Sequence, residues 1–273
     1  MSQERTGCWP SRKSLVAELR ITQRLVALLL CLGTSASFPS FAQEQKSAPE
    51  FSYSGANRPE AWGDLSPAYA ECKLGHLQSP IDIRGTKKEA LPPIEFHYNE
   101  APLKIIDNGH SIEVDYAPGS WIMVGDKRYQ LRQFHFHHPS EEHLYGKGYD
   151  MSLHLVHASS EKRLAVVTVL LKTGNANGTI QGIWDHLPRT KGHEDEVSGV
   201  TINAAALLPQ TTGYYTFQGS LTTPPCTEGV AWFILKTPMQ LSSGQLTVFA
   251  KLYPNDARPI QATEHRAILE SQF

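Results

Sequence analysis

The chain is poor in cysteine, balanced in charge and short of long apolar runs. Its 273 residues include four cysteines, 25 basic and 27 acidic residues, for a formal net charge of -2. That balance excludes a general electrostatic attraction to nucleic acid. The run Leu25 to Leu32 is too short to span a bilayer as a stable helix. No internal repeat or low-complexity linker breaks the sequence, and strong helical periodicity is scarce, which argues against a helical bundle. What is present is a 40% apolar composition, enough for a sizeable core, with proline and glycine spread along the chain as they are among short strands joined by turns.

The first 42 residues read as an export signal. Arg12, Lys13, Arg20 and Arg24 form a basic region, Leu25 to Leu32 is the apolar segment, and Ser40-Phe41-Ala42 offers small residues at the two positions a signal peptidase reads. Cys31 lacks the small residues that precede a lipid-modified cysteine. Cleavage after Ala42 would leave 20 basic against 25 acidic residues, a net charge of -5, no stable membrane anchor, and two cysteines, Cys72 and Cys226. Two cysteines in an exported protein suggest a disulfide, two buried thiols being the alternative. The expected compartment is the periplasm, or the external medium if the source is not Gram-negative.

Residues 43–50 are polar and read as a flexible lead-in, and residues 51–273 as one domain. Strands are expected at His110 to Tyr116, Trp121 to Val124, Tyr129 to His137, Ser152 to Ala158, Leu164 to Leu171 and Val230 to Leu235. Thr179 to Leu187 and Ser243 to Leu252 read as short helices. The fold class is mainly β with short helices (α+β), around a large, mostly antiparallel sheet.

In Phe134-His135-Phe136-His137 two imidazoles sit two residues apart. On a strand they share a face and one metal ion, while the phenylalanines face a core. His154 lies in a second strand-like segment beyond the turn residues Gly146-Lys147-Gly148, and completes a three-nitrogen set if the strands are antiparallel neighbours. Three histidines leave a fourth tetrahedral position open, as in catalytic zinc sites, although copper, nickel or cobalt suit the same ligands. His138 and His157 should face away from this set.

The segments Gln78-Ser79-Pro80-Ile81-Asp82-Ile83, Asn108-Gly109-His110, Gln133 to His137 followed by Pro139-Ser140-Glu141, His154-Leu155-Val156-His157, and Gly219 to Cys226 occur in an order that resembles the alpha-class carbonic anhydrases, most closely their secreted bacterial members. The likeness runs from about Phe51 to the C-terminus. It implies a single domain around a large twisted sheet, with Zn2+ at the bottom of a conical cleft. It also implies reversible hydration of carbon dioxide by zinc-bound hydroxide, giving bicarbonate and a proton, in a monomer or homodimer.

The resemblance assigns the zinc to His135, His137 and His154. Thr222 matches the threonine that orients the nucleophile, and Glu141 the carboxylate behind it, with Glu142 as the alternative if the loop is shifted by one. His110 matches the proton shuttle, and Tyr53 and Asn108 the residues that order water beside it. Val156, Val166, Leu221 and Trp232 match the apolar wall for carbon dioxide, with Thr222 and Thr223 beside it. Gln133 matches the partner of His135, and Cys72 and Cys226 the disulfide of secreted members. Two positions depart from the pattern. Ser152 stands where a glutamate usually supports the third ligand, and Glu142 where many members have histidine. A hydroxyl is the weaker partner, so weaker zinc retention or somewhat altered activity is expected, not loss of function, losses of this kind costing about 10–100-fold. A family member that binds without turnover, and a zinc hydrolase acting on esters, are the competing functions.

Overall fold

The computed structural model describes residues 49–273. The proposed signal peptide and the lead-in up to residue 48 lie outside the described residues.

One large sheet organises the domain. Its strands run, in spatial order, Glu194–Ile202, Ala101–Asp107, Ile112–Asp115, Lys127–His137, Met151–Ala158, Leu164–Thr173, Glu228–Leu235, Tyr214–Ser220, Leu269–Ser271 and Lys87–Glu89. Trp121–Val124 also pairs with Lys127–His137 and carries Ile94–His97 at its other edge. The sheet is mixed, as Leu164–Thr173 runs parallel to both Glu228–Leu235 and Met239–Leu241, and Leu269–Ser271 runs parallel to Lys87–Glu89. The remaining ladders are antiparallel, in keeping with the expected class. The expected helices appear as Gly178–Trp184 and Ser243–Leu252. The latter starts on a reciprocal cap in which Ser242 and Gln245 satisfy each other's backbone N–H groups. No helix among the described residues is long and apolar enough to cross a membrane.

A bulge decides which way the histidines point. Lys127–His137 pairs with Met151–Ala158 in a register that shifts between Leu131 and Gln133. Tyr129 and Leu131 before the shift, and Phe134 and Phe136 after it, all pack into the same main core. Strand side chains alternate faces, so odd and even positions can share a face only because the extra residue, Arg132, resets the alternation. Gln133, His135 and His137 are thereby turned to the opposite face. From the core side Phe136 packs on Trp184 at 4.8 Å, and Trp184 stacks on Phe249 at 5.6 Å between ring centroids. Burying such a phenylalanine contributes about 1.5–3 kcal/mol and fixes the histidine strand from behind.

The other face carries a smaller core of Ile81, Val166, Leu170, Phe217, Val230, Trp232 and Ile234. A disulfide joins Cys72 to Cys226 with 4.9 Å between Cα atoms, across 154 residues of sequence. It packs with Trp62 and Tyr69. Such a bond belongs to the chemistry of an oxidising, exported compartment.

Candidate metal centre and its surroundings

His135 and His154 are direct cross-strand partners. His137 lies two residues beyond His135 on the same face, and one ring nitrogen from each of the three histidines falls within 4.8 Å of the others. Ring centroids are 5.0 Å apart for His135–His137, 5.4 Å for His135–His154 and 4.8 Å for His137–His154.

The outer nitrogens identify the inner ones. His135 Nδ1 donates to Gln133 Oε1 at 2.8 Å, and His137 Nδ1 donates to the Asp256 carbonyl at 2.8 Å. His154 Nε2 lies 3.0 Å from Glu142 Oε1 and 3.3 Å from Oε2. Nε2 of His135, Nε2 of His137 and Nδ1 of His154 are therefore the atoms left to face inward. Of these, His137 Nε2 is buried with no hydrogen-bond partner among the described residues. A buried, unpaired nitrogen is costly and rare, and a cation at the meeting point of the three inner nitrogens would satisfy it. Burial pushes His135 down to about 3 and His137 well below its ordinary value, so both are neutral, as ligand imidazoles must be. Burial also opposes charge on His154, but the Glu142 and Glu141 carboxylates raise it. The donor set fits zinc.

The group beside His154 comes from a different position than the expected one. Ser152 does not face the His154 ring nitrogen; its Oγ accepts the Glu141 N–H at 3.3 Å. The carboxylate beside His154 is Glu142, whose Oε1 also accepts from Thr168 Oγ1 at 3.2 Å. A carboxylate thus stands beside the His154 ring, on the loop and not at position 152. Sequence alone missed this because Glu142 reaches His154 through the fold of the loop between the strands, not through a fixed spacing.

Glu141 lies against the histidine cluster. Its Oε1 accepts the Arg258 N–H at 2.8 Å. Its Oε2 lies 3.6 Å from His137 Nε2 and 3.8 Å from His154 Nδ1, without a hydrogen bond of normal geometry. Burial pushes its carboxyl up to about 7, while His154, the Arg258 N–H and the approaching Thr222 hydroxyl favour the charged form. Tyr53 brings a buried hydroxyl to the same group, and burial followed by Glu141 raises its pKa well above the ordinary value. Arg258, absent from the sequence reading, ties this region together. Its guanidinium donates to Gln78 Oε1, the Ser79 carbonyl and the Cys72 carbonyl at 2.8–2.9 Å. Gln78 Nε2 in turn donates to the Cys226 carbonyl at 3.0 Å.

The apolar residues form a row across the sheet. Val156 pairs with Val166, and Val166 with Trp232, while Val156 also pairs with Gln133. The Trp232 ring meets the His154 ring edge-on at 5.1 Å. Leu221 packs against this cluster, and Thr223 follows Thr222 on the adjoining loop, where its carbonyl accepts the Cys226 N–H at 2.8 Å. Gly219 lies so close to Trp232 that an added Cβ would fall 2.2 Å from Ser79 Oγ and 2.8 Å from the indole.

His110 lies on the turn between Ala101–Asp107 and Ile112–Asp115, where Asn108 Oδ1 accepts the His110 and Ser111 N–H groups at 2.9 and 2.8 Å. Its ring stacks on Phe51 at 3.8 Å. Asn108 Nδ2 and Gln133 Nε2 both donate to Glu113, at 3.2 and 3.3 Å, linking this turn to the His135 strand. His138 and His157 stay out of the cluster. His138 Nδ1 meets the Pro254 carbonyl, and His157 Nε2 the buried Tyr98 hydroxyl. Partial burial lowers the His110 pKa, Glu50 raises it and Lys191 lowers it. Lys191→Ala is therefore expected to raise the His110 pKa toward 6.5, read by NMR titration of its ring protons. An unchanged or lower value would remove Lys191 from its environment.

A mixed β-sheet with three converging imidazoles on one face defines the class, a protein with a three-histidine group that could hold a metal ion. Residues 57–272 match the family described as eukaryotic-type carbonic anhydrase, and the chain belongs to that family, the alpha class, as an enzyme. It is 38% identical over 245 residues to a carbonic anhydrase of Nostoc sp., covering 88% of this chain and 93% of the relative. It is 37% identical over 253 residues to one from Neisseria gonorrhoeae, covering 92% and 98%. Among solved structures, a hyperthermostable carbonic anhydrase identified from an active hydrothermal vent chimney superposes with a TM-score of 0.79 at 42% identity, covering 82% of this chain and all of that one.

Proposed function

We propose that the enzyme hydrates carbon dioxide reversibly to bicarbonate and a proton with one zinc ion held by His135, His137 and His154. The observation that carries this reading is the convergence of three imidazole nitrogens, one of them buried and unpaired, beside the Glu141 carboxylate. Zinc supplies Lewis-acid activation of water, lowering its pKa to about 7, the reference value for carbonic anhydrase itself and not one derived from this chain.

The chain's own residues supply aim, solvation and proton transfer. With Oε1 committed to Arg258, Oε2 is left to accept the Thr222 hydroxyl hydrogen when Glu141 is in its charged form. Thr222 Oγ1 can then only accept from the attacking water, which directs the water's lone pair at the substrate carbon. The Thr222 backbone N–H, with Thr223 beside it, holds a substrate oxygen. Val156, Val166, Leu221 and Trp232 solvate the apolar substrate. His110 takes the released proton and passes it to solvent; its lowered pKa keeps the ring neutral, and so basic, at neutral pH. Tyr53 and Asn108 help to hold the site's water, and Gln133 orients His135. Residues 1–42 act as the export signal, and the folded domain works in the periplasm.

Stopped-flow hydration assays test this. Catalysis should stop when a chelator strips the protein and return with added zinc. A folded, zinc-loaded protein without hydration would overturn the proposal and leave a binding module.

A further inference from the structure

Glu142 and Ser152, the two positions that depart from the family pattern, meet at one place. Both are fully buried; Glu142 contacts His154, and Ser152 contacts the backbone of Glu141. Glu142 reaches His154 Nε2 from the loop, and Ser152 lies on the His154 strand, two residues earlier and so on the same face. A carboxylate at either position can reach the same ring nitrogen. Thr168, the cross-strand partner of His154, fixes Glu142 from the far side, and Ser152 turns instead to the Glu141 N–H. Ser152 Oγ and both Glu142 oxygens thus have partners.

We infer that Glu142 is the positioning residue for His154, that Thr168 holds it, and that Ser152 and Glu142 form an exchanged pair in which one carboxylate serves the ring from the loop and not from the strand. The inference rests on the three-histidine reading above. Glu142 holds the Nε2–H tautomer and thereby leaves Nδ1 free for the metal. It does not touch substrate; it acts through the ring it orients. A second carboxylate at Ser152 would crowd Glu141 and Glu142 in a pocket closed to water, where like charges disfavour one another.

The pairing makes opposite demands on single and double variants. Glu142→Gln in the purified enzyme should weaken zinc about 10–100-fold, read by competition with a chromophoric chelator, and should alter the visible spectrum of the cobalt-substituted protein. Ser152→Glu alone should lower the thermal midpoint without tightening zinc. The double variant Glu142→Gln/Ser152→Glu should recover zinc affinity to within a few-fold of the parent and restore the cobalt spectrum. Thr168→Val, which keeps the carboxylate and removes its anchor, should weaken zinc in the same direction by less, and it decides the question if Glu142→Gln does not fold. Parental zinc affinity and cobalt spectrum in folded Glu142→Gln or Thr168→Val, or a double variant no better than Glu142→Gln, would overturn the inference. A parent enzyme that binds no zinc would instead overturn the metal-centre reading on which it rests.

Discussion

His137→Ala is expected to abolish zinc retention and carbon dioxide hydration together. His137 is the imidazole most deeply committed to the site. Its Nδ1 is spent on the Asp256 carbonyl, its Nε2 has no other partner, and its ring is buried. Alanine leaves two nitrogens from adjacent strands and a cavity lined by Glu141 and His154. Loss of a ligand should exceed the roughly 10–100-fold cost of losing an outer partner. Thr222→Val makes the contrasting case. The metal should stay, while the aim of the nucleophile is lost, so hydration should fall by about 100-fold at unchanged zinc content. Metal analysis and stopped-flow rates on both variants separate holding from aiming. A His137→Ala protein that kept zinc and rate would show that the three imidazoles are not the centre.

Breaking the Cys72–Cys226 bond should cost both stability and rate. Closing a loop of 154 residues contributes roughly 5 kcal/mol in the chain-entropy model, or about 10–20 °C in Tm for a domain of this size. The effect on rate follows from position. Cys226 lies four residues after Thr222 and adopts a left-handed backbone, φ 59°, a conformation costing a non-glycine residue on the order of 1–3 kcal/mol. The bond, together with the chain Cys226–Gln78–Arg258–Glu141, holds the Thr222 loop against the residue that orients it. Cys72→Ser/Cys226→Ser or full reduction should therefore lower hydration even where the protein remains folded. Unchanged activity in a fully reduced, folded sample would remove the clamp from the account.

The parts of the site that were legible in the sequence are those governed by short-range geometry. His135 and His137 could be read because strand neighbours at i and i+2 share a face. Phe134 and Phe136 were placed in the core by the same alternation. The bulge at Arg132 was not legible, since Tyr129 and Leu131 fit the core face only after the register is known. The strand Glu194–Ile202 was missed because it is an edge rich in Glu, Asp and Gly, with no alternating apolar face to announce it. Ala101–Asp107 does alternate in burial but carries Pro102 and Lys104 at its outward positions. Arg258, Asp256, Thr168 and Glu142 escaped for a common reason. Each meets the site through tertiary contact, in the cases of Arg258 and Asp256 across more than a hundred residues. The expectation about Ser152 weighed a missing carboxylate on the strand, and the loop that brings Glu142 to His154 was not legible beside it.

The central claim is that three imidazoles, through Nε2 of His135, Nε2 of His137 and Nδ1 of His154, hold the one zinc ion that hydration requires. The most direct test is a zinc titration of the chelator-stripped enzyme, following hydration rate and the zinc X-ray absorption spectrum in the same samples. The account expects activity to rise linearly and stop at one equivalent, with three imidazole nitrogens around the metal at about 2.0–2.1 Å. Activity independent of zinc, or a zinc shell without three imidazoles at full activity, would contradict it.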